Sequence, residues 1–236
     1  MKYVLFVYGD EKPWADAGAA EREAVYAQWG AYESLLTEHG ARRGGNELAA
    51  SATATTIRKQ DGQVLITDGP FAETVEQISG YMVVEAADQA QAVEFAKAQP
   101  GEVFLRAVHD YGLDHLAPAE APPGVRYTLL VYGPGGQEAT PEQAAASAQE
   151  HYAYIELLLA RGAFLDTVAL QGLDTAAIVR KPGEGVLITH GPFAETVEHL
   201  GGYYEIVAKD LDEAIELAKA LPEPVVEVRP VVEYSG

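Results

Sequence analysis

Residues 64–76 read VLITDGPFAETVE, and residues 186–198 read VLITHGPFAETVE. Only Asp68 against His190 differs, at an offset of 122 residues (64 to 186). The same offset pairs Ala31 and Tyr32 with Ala153 and Tyr154, Leu35 and Leu36 with Leu157 and Leu158, and Arg58 and Lys59 with Arg180 and Lys181. Nearer the start the offset is 124 (3 to 127): Tyr3, Leu5, Val7, Tyr8 and Gly9 answer Tyr127, Leu129, Val131, Tyr132 and Gly133. A self-similarity this long makes the chain two copies of one domain. The copies are residues 1–115 and 125–236. Between them residues 116–124, LAPAEAPPG, carry three prolines and suit an extended linker.

Working outward from the repeated block, each copy has one order of elements. Residues 2–8 alternate and are rich in Tyr, Val and Phe, as a strand requires. Residues 20–39 place Val25, Trp29, Tyr32, Leu35 and Leu36 at helical spacing and stop at Gly40. After a short extended segment, residues 53–59 and 63–67 flank Gln60-Asp61-Gly62, a hairpin signal. The second copy has Lys181-Pro182-Gly183-Glu184-Gly185 there. Past the DGPFAET loop a strand is expected at 81–85. A helix capped by Asp88 follows, with Ala92, Val93 and Ala96 on one face, and then a strand at 103–109. The fold class is α+β: two tandem ferredoxin-like domains, each with an added β-hairpin and helices on one face of an antiparallel sheet. The other sheet face then needs cover, which two fused copies supply as an intramolecular pseudo-dimer, an α+β barrel.

Composition narrows the function. Sixteen basic against 36 acidic residues give a formal charge of −20, which opposes phosphate backbones and anionic membranes. The expected partner is therefore a small molecule and not a nucleic acid or a membrane. The absence of cysteine excludes disulfides, thiolate nucleophiles and Cys-bound zinc, and fits a cytoplasmic setting. The N-terminus reads as a first strand, not as a signal peptide. No P-loop, dinucleotide-binding glycine pattern or nucleophile elbow is present, and the sequence names no cofactor.

The two GPFAETVE blocks, the VLIT strands before them and Gly201-Gly202-Tyr203 after the second resemble the DGPF family, within the YCII-related superfamily. The resemblance spans residues of about 2–111 and 126–234. It implies the dimeric α+β barrel built from ferredoxin-like units, and small-molecule enzymology in which some members pair a His on the first helix with an acid. That helix resembles the pattern His-x-x-Tyr-hydrophobic at His151-Tyr152-Ala153-Tyr154-Ile155. The first copy departs from it with Trp29-Gly30-Ala31-Tyr32-Glu33, and the second copy departs at the motif acid, where it has His190.

Candidate chemistry therefore gathers in the second copy. His151 and His190 can work as acid and base near neutral pH, with Glu195 as a carboxylate partner and Asp68 as the corresponding acid of copy one. Two imidazoles can also ligate a metal, with Glu195, Glu198 and His199 nearest in sequence. No spacing such as HExxH supports this, and no metal is assigned. Ligand-binding candidates are Tyr154, Arg180 and Phe193, with their counterparts Tyr32, Arg58 and Phe71. The aromatic residues offer ring surface, and the strand arginines a bidentate clamp for an anion. Each has a plain structural alternative: Gly69 and Pro70 make a corner that Phe71 anchors, and arginines pair with some of the 36 acids. The function expected is a small-molecule acid–base enzyme with its site mainly in the second repeat. The alternative is a non-catalytic module binding a small ligand or a protein in a regulatory role. A further homodimer of the fused chain is compatible with either.

Overall fold

The computed structural model describes residues 1–72, 76–134, 140–183, 185–191 and 198–233. The first repeat runs β1 (Lys2–Asp10), α1 (Glu11–Asp16), α2 (Ala19–Glu38), β2 (Arg42–Glu47), β3 (Thr55–Gln60), β4 (Gln63–Asp68), β5 (Glu76–Glu85), α3 (Gln89–Ala98) and β6 (Glu102–His109). The second runs β7 (Val125–Pro134), α4 (Pro141–Ala160), β8 (Phe164–Leu170), β9 (Ala177–Arg180), β10 (Leu187–His190), β11 (Glu198–Ala208), α5 (Leu211–Ala220) and β12 (Val225–Pro230). This is the α+β class and the element order read from the repeat, with ferredoxin-like units and added hairpins. No helix among the described residues is long and apolar enough to cross a membrane.

Three local features depart from the sequence reading. The helix α1 was not expected; Asp10 starts it by accepting the Lys12 amide at 2.9 Å. β5 begins at Glu76 and not at 81, because it pairs with β1 from Asp10 to Lys2, through an irregularity at Val7/Tyr8. β2, expected only as a short extended segment, pairs with β5, and Gly45 makes this possible. A Cβ at Gly45 would stand 2.5 Å from the Tyr81 carbonyl oxygen, and its φ is +144°.

The chain forms two compact units, and they are not the two repeats. Unit 1 comprises residues 1–50, 73–110 and 170–194; unit 2 comprises residues 51–72, 111–169 and 195–236. In unit 1 the antiparallel order is β2-β5-β1-β6-β9-β10. The hairpin of the second repeat thus joins the edge of the first repeat's sheet, with Val103 opposite Val179 and Leu105 opposite Ala177. In unit 2 the order is β8-β11-β7-β12-β3-β4. There the hairpin of the first repeat joins β12, from Val225 opposite Arg58 to Val228 opposite Thr55. An edge strand presents unpaired N–H and C=O groups, and each hairpin satisfies one such row. The β3–β4 turn is Asp61-Gly62, with φ of 52° and 74°, as a two-residue hairpin loop requires.

Each unit has its own apolar core between helices and sheet. In unit 1, Leu5, Leu36, Val84, Ala96 and Leu105 pack with Ala177 and Val179 of the incoming hairpin. In unit 2, Leu129, Leu158, Ile206, Leu217 and Val226 pack with Ile57 of its own, and Leu113 and Leu116 lie against that core. The face of the unit 2 sheet away from the helices holds an ion pair, Arg229 to Glu227 at 3.0 Å, with side chains 1% and 3% exposed. Removing Arg229 leaves the Glu227 carboxylate buried without this counter-charge. Arg229→Met is expected to lower stability by about 3–5 kcal/mol, read as a fall in the urea midpoint. The joint change Arg229→Met with Glu227→Leu is expected to cost much less.

Candidate functional site

His151 sits two turns from the end of α4, a helix started by Thr140 with Gln143 in a reciprocal cap and by Pro141 in its first turn. Tyr154, Ile155 and Leu158 point from α4 into the core. His151 lies at the rim of that face, half-buried over the sheet. Both of its ring nitrogens are engaged: Nδ1 lies 2.8 Å from the Tyr204 hydroxyl and Nε2 lies 3.0 Å from Glu223 Oε1. The His151 and Tyr204 rings stack with planes 12° apart, and Tyr154 meets Tyr204 edge-on at 5.0 Å while donating to the Leu217 carbonyl.

The partners fix the proton positions. Burial pushes the Tyr204 phenol above the ordinary tyrosine range, the Thr167 hydroxyl offsets part of that, and the Glu223 carboxylate adds to it. The neutral Tyr204 hydroxyl can donate or accept, whereas the Glu223 carboxylate only accepts; in a neutral ring Nε2–H therefore donates to Glu223 and Nδ1 accepts from Tyr204. The result is a chain from phenol through imidazole to carboxylate. Its buried end is Tyr204, and its outer end is Glu223, whose side chain is 25% exposed. Glu223 stands in the turn between α5 and β12, flanked by Pro222 and Pro224. Its Oε2 is 3.5 Å from where a Cβ on Gly133 would lie, so the glycine in β7 keeps that oxygen clear of a side chain.

Unit 1 lacks this constellation. The register of β1 on β5 and of β7 on β11 puts Met82 where unit 2 has Tyr204. The helix has Trp29 for His151, and the turn is Pro100-Gly101 where unit 2 has Pro222-Glu223-Pro224. Tyr32 matches Tyr154 and packs edge-on against Trp29 at 5.9 Å. Among the described residues its buried hydroxyl and the buried Gln99 side-chain amide meet no hydrogen-bond partner.

Residues 1–103 and 125–235 each match the YCII-related domain. The chain belongs to the YCII-related family. An uncharacterised protein of Rhizobium meliloti (strain 1021) is 31% identical over 97 residues, which cover 41% of this chain and 78% of the relative. A crystal structure named "Putative Chlorite dismutase" aligns over 98% of this chain and 94% of its own, with a TM-score of 0.45 and 9% identity.

Within this YCII-related chain the sequence candidates fall into separate places. His190 is exposed near the end of β10 in unit 1, paired in register with Ala177. His151 belongs to unit 2, and its ring nitrogens are engaged by Tyr204 and Glu223. Asp68, the counterpart of His190, is exposed at the end of β4, opposite Thr55. Arg180 pairs with Glu102 at 2.8 Å in unit 1. Glu195 and Phe193 lie outside the described residues. Arg58 and Phe71 come together in unit 2. The guanidinium lies 4.6 Å over the Phe71 ring and donates to the Phe71 carbonyl at 3.1 Å. The other contacts of Phe71 are a stacked Tyr132 at 4.4 Å and, through its backbone N–H, Glu227 Oε2 at 2.8 Å. These contacts hold Phe71 by its ring, its carbonyl and its N–H. Among the described residues no group of three His, Asp or Glu is gathered to hold a metal. A hollow of about 150 Å³ lined by Pro118, Arg126, Leu165 and Glu205 lies on the sheet face away from His151, and the Arg126–Glu205 ion pair at 3.3 Å spans part of it.

Sequence reasoning missed Tyr204 and Glu223. Tyr204 carried no signal beyond its difference from Met82. Glu223 did: it accompanies a one-residue length difference between the copies, inside an otherwise matched helix-to-strand turn.

The raised pKa values of Tyr204 and Tyr154 have a stability consequence. A folded state that holds a phenol proton more tightly than the unfolded chain keeps its full advantage below the unfolded pKa of about 10 and loses it as pH rises further. Stability is therefore expected to fall between pH 10 and 12. Tyr204→Phe should flatten that decline in pH-dependent denaturation curves.

Proposed function

We propose that the protein is a small-molecule acid–base enzyme working from the second repeat. The observation that supports this best is the Tyr204–His151–Glu223 chain, in which an oriented imidazole holds a carboxylate at an accessible turn. Glu223 Oε2 is the atom placed to take a proton from a ligand or return one. His151 orients the carboxylate through Nε2–H and can pass it a proton, and Tyr204 fixes the tautomer behind it. Proton abstraction next to a carbonyl, or isomerisation of an unsaturated acid or lactone, needs no more than such a group in a sheltered place. A chain of charge −20 favours ligands that are neutral or locally clamped, in a cytoplasmic setting, over nucleic acid or membrane.

A non-catalytic binding role fits unit 1, where Trp29, Met82 and Gly101 replace the three groups and leave ring surface without a proton relay. On this reading the two halves have diverged, one keeping chemistry and the other at most a ligand surface.

The test is deuterium exchange in D2O with a panel of small carbon acids, including β-keto acids and unsaturated lactones, followed by proton NMR. Wild-type protein is expected to exchange at least one of them. Glu223→Gln should lose on the order of 10²-fold or more of the rate, and His151→Gln a comparable amount. Exchange that is absent, or unchanged in both variants, would leave the binding module as the surviving reading.

A further inference from the structure

The hairpin of the first repeat brings a cation to the candidate site of the second. Lys59, in β3, donates its backbone N–H to the Pro224 carbonyl at 2.7 Å, and its Nζ donates to the Leu221 carbonyl. Leu221 caps α5, and Pro222, Glu223 and Pro224 follow it directly. Lys59 thus grips both ends of the turn that presents Glu223. Nζ sits on the carbonyl two residues before Glu223; burial pulls the Lys59 ammonium below the ordinary lysine range, and the Glu223 carboxylate pulls it back up.

We propose that Lys59 is a positioning residue of the Glu223–His151 pair: it pins the Leu221–Pro224 turn and balances the carboxylate, so the second repeat's site is complete only with the first repeat's hairpin in place. The inference rests on the acid–base reading of that pair. Unit 1 supplies an internal control. There Lys181 of the other hairpin donates to the Gln99 carbonyl, the cap of α3, but the adjoining turn is Pro100-Gly101, and the acid after it, Glu102, opens β6 and pairs with Arg180. The Nζ contact with the helix cap exists in both units, and only in unit 2 does an acid stand inside the turn that follows. The groups around His151 are Glu223 on the α5–β12 turn, Tyr204 on β11, Tyr154 on its own helix and, through Glu223, Lys59 on β3.

The experiment reads the His151 tautomer by long-range proton–nitrogen NMR on the full chain, at a pH where the ring is neutral. A ring held between Tyr204 and Glu223 gives two widely split nitrogen shifts, and a released ring gives converging ones. Lys59→Met is expected to collapse the splitting, whereas Lys59→Arg and Lys181→Met keep it. Equal effects of Lys59→Met and Lys181→Met would overturn the proposal, because loosening a hairpin would then suffice. Glu223→Ala separates the two readings. If it leaves the splitting intact, the pair itself is wrong; if it collapses the splitting and Lys59→Met does not, only the role of Lys59 falls. Should Lys59→Met fail to fold, the Lys59 amine can be titrated by lysine-selective labelling. Glu223→Ala is then expected to lower its pKa further and raise its labelling at neutral pH, and an unchanged titration would overturn the proposal.

Discussion

Everything in this molecule depends on the backbone pairing of a hairpin from one repeat with the last strand of the other. Without β3, strand β12 would be an open edge, and without β9 the stretch of β6 from Val103 to Leu105 would lose its partner. Unpaired edge groups invite association with other chains, and charge or prolines are the usual remedies. Here the remedy is exchange. It also completes the cores, since Ile57 enters the core of unit 2, and Ala177 and Val179 enter that of unit 1. The hydrogen-bond ladder and the apolar burial favour the same partner, the agreement across levels that marks a well-specified fold.

The exchange also explains why the repeated block is so well preserved between copies while the chemistry around it is not. Phe71 is held by Arg58, Tyr132 and Glu227, three groups that need a ring and a peptide N–H at that point, whatever the ligand. Gly69 donates to the Ala54 carbonyl, and Gly191 repeats that bond with Ala176. These are constraints of folding. The one position of the block that differs, Asp68 or His190, sits exposed at a strand end, where either side chain is tolerated. The groups that differ most between the units, Trp29 against His151, Met82 against Tyr204 and Gly101 against Glu223, share no folding role that demands one type.

Much of the fold was legible because periodicity and turns are local. The 3.6-residue spacing of Trp29, Tyr32 and Leu36, the Asp88 cap and the Asp61-Gly62 turn each act within a few residues. Which sheet a hairpin joins is not local, since no residue of β3 carries a label for its own repeat or the other. The site was half legible for the same reason. His151 stood out against Trp29 at a helix position that the family resemblance marks. Its acid comes from a turn 72 residues away along the chain, and its phenol from a strand 53 residues away. A pairing of that kind emerges only when β11, β12 and α4 are placed side by side.

The exchanged hairpins also change what inheritance can do with the duplication. Ordinarily a second copy is free to decay or be lost once the first suffices. In this chain the repeat with Trp29 in place of the imidazole carries β3 and β4, the strands that cover the edge of the sheet beneath His151. A deletion that removed it would open that sheet. The two copies are therefore exposed to selection as one gene product, each kept by what it lends and not by what it holds.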